Sequence, residues 1–146
     1  MIGLVQRVSQ AQVHVAGQRI AGIGPGMLLL VCAEPQDSPA QAERLVDKVI
    51  KLRIFADARG LMNRSLLDVS GELLVVSQFT LAADVQGGNR PSFTGAAPPA
   101  LGRQLYEQVL VLARARLGSV QSGQFGADMQ VSLVNDGPVT IPLRFV

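Results

Sequence analysis

Residues 2–33, IGLVQRVSQAQVHVAGQRIAGIGPGMLLLVCA, alternate apolar and polar side chains between glycine turns. A two-residue period puts every second side chain on one face of a strand. Residues 2–8, 11–15, 19–23 and 27–33 therefore read as four strands, with Gly24-Pro25-Gly26 as the turn before the last. His14, between Val13 and Val15, reads as an outward-facing strand residue.

Downstream, the period changes. Ser38-Pro39-Ala40-Gln41 supplies an N-cap serine, a proline at the first helical position and a glutamine that closes a capping box, so a helix starts there. On a 3.6-residue wheel Ala42, Leu45, Val46, Val49 and Ile50 make the buried stripe, and Arg44, Lys48 and Lys51 form a cationic ridge opposite. The ridge has two readings, a solvated helix face or a contact for a phosphate backbone, and the residues leave both open. Asp57-Ala58-Arg59-Gly60 is a turn. Residues 72–77, ELLVVS, form a fully buried strand that empties into Gln78-Phe79-Thr80. Residues 83–97, with Gly87, Gly88, Arg90, Pro91 and Gly95, make a long loop. Pro98-Pro99 opens a second helix with Leu101, Leu105, Val109 and Leu112 as its stripe, ending before Gly118. The tail reads as a strand over 128–134, a turn at Asn135-Asp136-Gly137-Pro138 and a last strand from Val139. The expected architecture is α+β: curved, largely antiparallel sheets with two helices, in one domain spanning 1–146.

Composition narrows the function classes. Of the 146 residues, 48% are hydrophobic and 16% charged, too apolar for a disordered chain. The longest apolar run, residues 27–33, is about a third of what a membrane-spanning helix needs, and the N-terminal stretch lacks a signal-peptide layout, so no membrane partner and a cytoplasmic location are expected. Cys32 is alone and cannot form an internal disulfide; with a single histidine, His14, the chain offers too few soft ligands for a Cys/His zinc site. Neither a metal nor another cofactor is expected. Ser-His-Asp chemistry survives only if His14 is the base. Net charge is only +2, yet residues 44–64 hold six cations against Asp47 and Asp57, which permits an anionic partner without demanding one.

Two strings carry chemistry: SQFTLA at 77–82 and NDGPVT at 135–140. The first reads either as a strand end with a buried Phe79 and satisfied hydroxyls or as a site built where a strand stops. The second reads either as a tight turn or as a rigid corner. Gly137 tolerates angles closed to other residues, and Pro138 lacks an N–H and lowers the cost of a cis bond to roughly 0.5–1 kcal/mol. Such a corner exposes carbonyl oxygens and discriminates by shape.

Together with Gln6-Arg7-Val8, LRIF at 52–55, MNRSLLDV at 62–69, NRPSF at 89–93 and FGADMQVSLVNDGPVT at 125–140, these strings closely resemble bacterial D-aminoacyl-tRNA deacylase over essentially the whole chain. The resemblance implies hydrolysis of the ester joining a D-amino acid to the terminal adenosine of tRNA, with glycine mischarged on tRNA-Ala as a further substrate. It implies a homodimer in which Gly137-Pro138 is cis and enters the partner subunit's active site. It places Ser77, Gln78, Phe79 and Thr80 around the ester, and Phe125 and Met129 against the terminal adenine. The aminoacyl-tRNA acceptor end is the implied partner, and DNA is not. Departures lie outside the two strings: CAEPQD at 32–37, Val85-Gln86-Gly87-Gly88, and the tail PLRFV.

Ester hydrolysis needs a nucleophile, a route for its proton and donors for the oxyanion. A threonine alcohol attacks poorly without a neighbouring base, and neither string supplies His or Lys, so Thr80 reads as a positioning group. The ribose 2′-hydroxyl beside the ester is then expected to orient or activate water, with the backbone N–H groups of Phe79 and Thr80 holding the oxyanion. Arg7, Arg90 and the ridge of Arg44, Lys48 and Lys51 are expected to attract the acceptor stem in a salt-dependent way. Two rivals remain: a non-catalytic RNA-binding module of the same fold, and a small-molecule hydrolase or lyase with Thr80 as nucleophile.

Overall fold

The computed structural model covers residues 1–146. Its central strand, β1 (Ile2–Val15), pairs along one edge with β3 (Gly26–Cys32) and then β2 (Gln18–Ile23), and along the other with β8 (Gln130–Arg144), all antiparallel. β3 continues the sheet in parallel to β6 (Glu72–Ser77), and β6 to the short β7 (Gln121–Ser122). β4 (Phe55–Ala56) and β5 (Met62–Arg64) form a separate ribbon. The α+β class is as expected.

Two expectations about strands are corrected. Residues 2–8 and 11–15 are one strand, because β8 accompanies both halves and the exposed Ser9-Gln10 break in the alternation is absorbed by a register shift. The two expected tail strands are likewise one. Asn135 faces Val8 and Thr140 faces Gln6, so Asp136–Val139 bulge out opposite the single residue Arg7. The NDGP corner is thus an excursion from a continuous strand, and its Gly137–Pro138 peptide is cis.

Alternation along the buried strands builds two cores. Met27, Leu29 and Val31 of β3 and Leu73 and Val75 of β6 face the helices, whereas Leu28, Leu74 and Val76 face the inside of the curl with Val8, Ala11, Val13, Ala21 and Ile23. Burial on both faces is why β6 reads as an unbroken apolar run.

Helix α1 (Pro39–Lys51) begins with the expected reciprocal cap of Ser38 and Gln41, and Ala42, Leu45, Val46, Val49 and Ile50 are all buried. The helix count is corrected from two to three. One turn, α2 (Leu66–Val69), was not expected; Ser65 accepts from the Asp68 N–H (3.1 Å) and Asp68 accepts from the Ser65 N–H (2.8 Å). Helix α3 (Pro99–Leu117) buries Leu105, Tyr106, Val109, Leu110 and Ala113, a face rotated slightly from the expected stripe, so that Leu101 and Leu112 are only half-buried. No helix is long and apolar enough to cross a membrane.

Candidate active site

Parallel strands end together, and that is where this chain opens a cavity. Val31 of β3 stands beside Ser77 of β6, and the Gln78 N–H donates to the Val31 carbonyl (2.7 Å), turning the chain out of the sheet. A single 3₁₀ turn (Phe79–Ala82) follows. Its first internal bond runs from the Leu81 N–H to the Gln78 carbonyl (3.2 Å), so the Phe79 and Thr80 amides precede that ladder and are not consumed by it.

The cavity holds about 410 Å³. Ser77, Gln78 and Phe79 form one wall and Val31, Cys32 and Ala33 the floor. The far side comes from the long loop through Phe93, Ala96 and Ala97, from α3 through Pro99, Gly102 and Tyr106, and from Phe125-Gly126. The Ala97 N–H donates to the Ala33 carbonyl (2.8 Å), and an Asp84–Ser92 bridge closes the loop's base, so the loop is fixed to the strand ends. Phe79, 58% exposed and not buried as a plain strand end would have it, meets Phe93 edge-to-face at 5.1 Å between centroids. The walls are mostly apolar and include no charged side chain.

Of the expected site residues, Ser77, Gln78, Phe79 and Phe125 line this cavity. Thr80 sits just outside the lining and is tied to it, its Oγ1 accepting from Gln78 Nε2 at 2.6 Å. Met129 does not reach the lining; its sulfur accepts from the Gln124 N–H (3.4 Å) beneath Gly123 and its side chain packs on the inner core. Gly137 and Pro138 are exposed and lie outside the lining of their own chain's cavity. Phe93, Gly102 and Tyr106 are lining residues that the sequence reading did not single out, and Cys32, also in the lining, was weighed there only as a disulfide or zinc residue. Phe93 lay in a quoted string, NRPSF, but the others carried only helix or strand patterns.

The groups that titrate here are held in their neutral forms. Burial, then the nearby Glu34 charge, pushes the Cys32 thiol up. Burial also pushes Tyr106 up to about 12, while its hydroxyl donates to the Val75 carbonyl at 2.9 Å. Because an unfolded tyrosine ionises near 10, the neutral folded phenol contributes fully below that pH and loses roughly 2–3 kcal/mol as pH rises toward 12. Tyr106 is the single tyrosine and there is no tryptophan, so tyrosinate absorbance reports it alone. The expected midpoint is about 12. Tyr106→Phe is expected to cost about 1 kcal/mol at neutral pH and to flatten the alkaline decline. A tyrosinate midpoint near 10 in the folded protein would count against this environment.

The expected cations divide. Arg7 is turned inward: Nη1 donates to the Ile54 carbonyl (2.6 Å) and Nε to the Asp136 carbonyl (2.8 Å), with the Asp136 carboxylate 3.7 Å away. It supports the NDGP bulge. Arg44 lies over the Phe145 ring and donates to the Val146 carbonyl (2.9 Å). Lys48, Lys51 and Arg90 are exposed.

The sequence profile of a family described as D-Tyr-tRNA(Tyr) deacylase matches residues 4–144. A D-aminoacyl-tRNA deacylase of Methylibium petroleiphilum is 64% identical over 143 residues, 98% of this chain and 94% of that one. Another, from Aromatoleum aromaticum, is 63% identical over 146 residues, 100% and 96% of the two chains. Among solved structures, a c-Myc DNA unwinding element binding protein superposes with TM-score 0.95 at 40% identity, covering 100% of this chain and 99% of its own. A probable eukaryotic D-amino acid tRNA deacylase shares the fold at TM-score 0.84 and 18% identity, over 97% of each chain.

Proposed function

Since the chain belongs to the D-Tyr-tRNA(Tyr) deacylase family, we propose that it hydrolyses the ester between a D-amino acid and the terminal adenosine of tRNA, removing the wrong enantiomer before translation uses it. The observation that carries this reading is the uncharged 410 Å³ cavity walled by Ser77, Gln78, Phe79 and Phe125 at the ends of two parallel strands. Its aromatic faces suit a nucleoside, and its size suits one aminoacylated nucleoside.

The Phe79 and Thr80 amides supply the oxyanion donors, because they precede the first bond of the turn that follows β6. Gln78 holds Thr80 by donating to its oxygen, which orients the hydroxyl and does nothing to remove its proton. Thr80 is therefore a positioning residue, and water is the nucleophile. Thr80→Ala is expected to keep the rate on D-aminoacyl-tRNA within about tenfold, the scale of one lost hydrogen bond. Loss of a true nucleophile costs on the order of 10⁴-fold or more, and a fall of that size in a single-turnover assay would make Thr80 the nucleophile.

Gly137-Pro138, exposed and outside its own chain's cavity, is a wedge for the cavity of a second copy. In a homodimer this main-chain corner meets the α-carbon and excludes an L side chain. Glycine, having no side chain to exclude, passes the same sieve, so glycyl-tRNA-Ala is a second substrate. The site of action is the cytoplasm, where tRNA is charged.

The test is a time course of free amino acid released from matched D- and L-tyrosyl-tRNA. Fast release from the D ester alone is expected. Binding of both without release would favour a non-catalytic RNA-binding module, and equal release would remove the sieve.

A further inference from the structure

Every residue lining the cavity is uncharged, yet a polynucleotide that placed its terminal nucleoside there would bring a phosphodiester to the rim. One cation is fixed at that rim. Arg103 follows Gly102, which lines the cavity, and its guanidinium lies over the ring of Phe125, another lining residue, 4.9 Å from the centroid. A Cβ on Gly102 would stand 3.5 Å from that same ring, so the ring lies over the helix where the missing side chain leaves room for it. The cation–π contact holds the guanidinium over the aromatic wall. Arg103 is exposed and forms neither an ion pair nor a side-chain hydrogen bond within the chain. Its five N–H donors stay open, although Glu107 lies one turn along the same helix.

From this juxtaposition we propose that Arg103, stacked on Phe125, binds the phosphodiester immediately 5′ of the terminal nucleoside and so fixes the acceptor end in the cavity. The proposal rests on the tRNA-ester reading above. A guanidinium presents its donors in a planar fork that matches two phosphate oxygens, and the ring beneath keeps that fork oriented before the substrate arrives. The same ring lines the cavity, so one aromatic side chain organises the base contact and the phosphate contact together. Arg103 touches the substrate's backbone and no reacting atom, so its effect falls on binding.

The experiment compares wild type, Arg103→Gln and Arg103→Lys on D-tyrosyl-tRNA and on 3′-O-D-tyrosyl adenosine, which carries no phosphate. Arg103→Gln is expected to raise KM for the tRNA about tenfold with kcat within about twofold. The slope of log KM against log salt is expected to become shallower by about 0.7, the value for one single-strand phosphate contact. Arg103→Lys is expected to recover that slope and only part of KM, since a lysine cannot reproduce the fork. The loss on the adenosine ester should be far smaller. Equal losses on both substrates, or an unchanged KM and slope on the tRNA, would overturn the proposal. A parallel arm measures anisotropy of a fluorescent CCA trinucleotide. Binding weakened about tenfold by Arg103→Gln supports the contact even if wild type releases no amino acid, an outcome that would instead sink the hydrolase reading, whereas unchanged binding overturns the contact.

Discussion

Deacylation of a D-aminoacyl-tRNA whose terminal ribose lacks its 2′-hydroxyl is expected to run about 10²- to 10³-fold slower, a loss of roughly 3–4 kcal/mol of transition-state stabilisation. The cavity offers no side chain that can act as a base. His14, the single histidine, sits on β1 opposite Gln130 and does not line the cavity. The Cys32 thiol is pushed up by burial and by Glu34, so it stays protonated near neutral pH. Tyr106 is pushed up to about 12 and its proton is engaged with the Val75 carbonyl. Thr80 faces an amide donor in Gln78, where a general base would have to accept. Ser77 and Gln78 complete the polar wall and neither is basic. What remains is the hydroxyl that the substrate carries on the ribose carbon next to its own ester, held within intramolecular reach by the sugar itself. The deoxy substrate retains its base, its phosphates and its amino acid, so the expected change lies in kcat with KM nearly constant. Unchanged turnover would reject substrate assistance and reopen the search for a side-chain base.

How much of this was legible beforehand depends on how far each signal reaches along the chain. Helix α1 was legible to its first residue because Ser38 and Gln41 cap each other three residues apart. Helix α2 uses the same reciprocal cap at Ser65 and Asp68, but its four residues are too few for a periodic stripe, so the sequence shows a cap with nothing after it. The continuity of β1 across Ser9-Gln10 is set by β8, more than a hundred residues away, and no local pattern reports such pairing. The cavity divides in the same way. Ser77, Gln78 and Phe79 stand out because a buried strand stops there. Tyr106 falls outside the stripe expected for the second helix and Gly102 carries no signal of its own, until the fold sets Phe125 against them. Met129 stands out only through the quoted string; its sulfur lies beside Gly123 and its partly buried side chain packs against the inner core.

Gly137→Ala is expected to lower D-aminoacyl-tRNA hydrolysis by about 10²-fold and to shrink the preference for D over L, while changing unfolding free energy by only about 1 kcal/mol. Gly137 has φ +146°, a region that side chains other than hydrogen rarely adopt, and an added Cβ would stand 2.9 Å from the Val139 nitrogen and 3.2 Å from Arg7 Nη2. The bulge cannot absorb this in place. The Val139 N–H is held by Asn135 Oδ1 (2.8 Å), Asn135 Nδ2 donates to Thr140 Oγ1 (2.8 Å), and Arg7 grips the Asp136 carbonyl. The exposed corner must therefore shift outward as a unit, which relieves most of the strain and leaves the core intact, but a displacement of about 1 Å is enough to cost two orders of magnitude in rate. If the wedge serves a partner subunit, the defect can be complemented. Gly102→Leu extends a side chain toward Phe125 and fills the cavity while leaving the bulge untouched. Each variant alone should be nearly inactive. Mixed dimers of the two, however, contain one site with an unaltered cavity and an unaltered wedge, so activity should return with its D preference as subunits exchange. If both variants are inactive alone and mass spectrometry confirms the mixed dimer, but activity stays absent, then wedge and cavity belong to the same chain, and stereochemical exclusion must be sought in Phe79 and Phe93 at the cavity mouth.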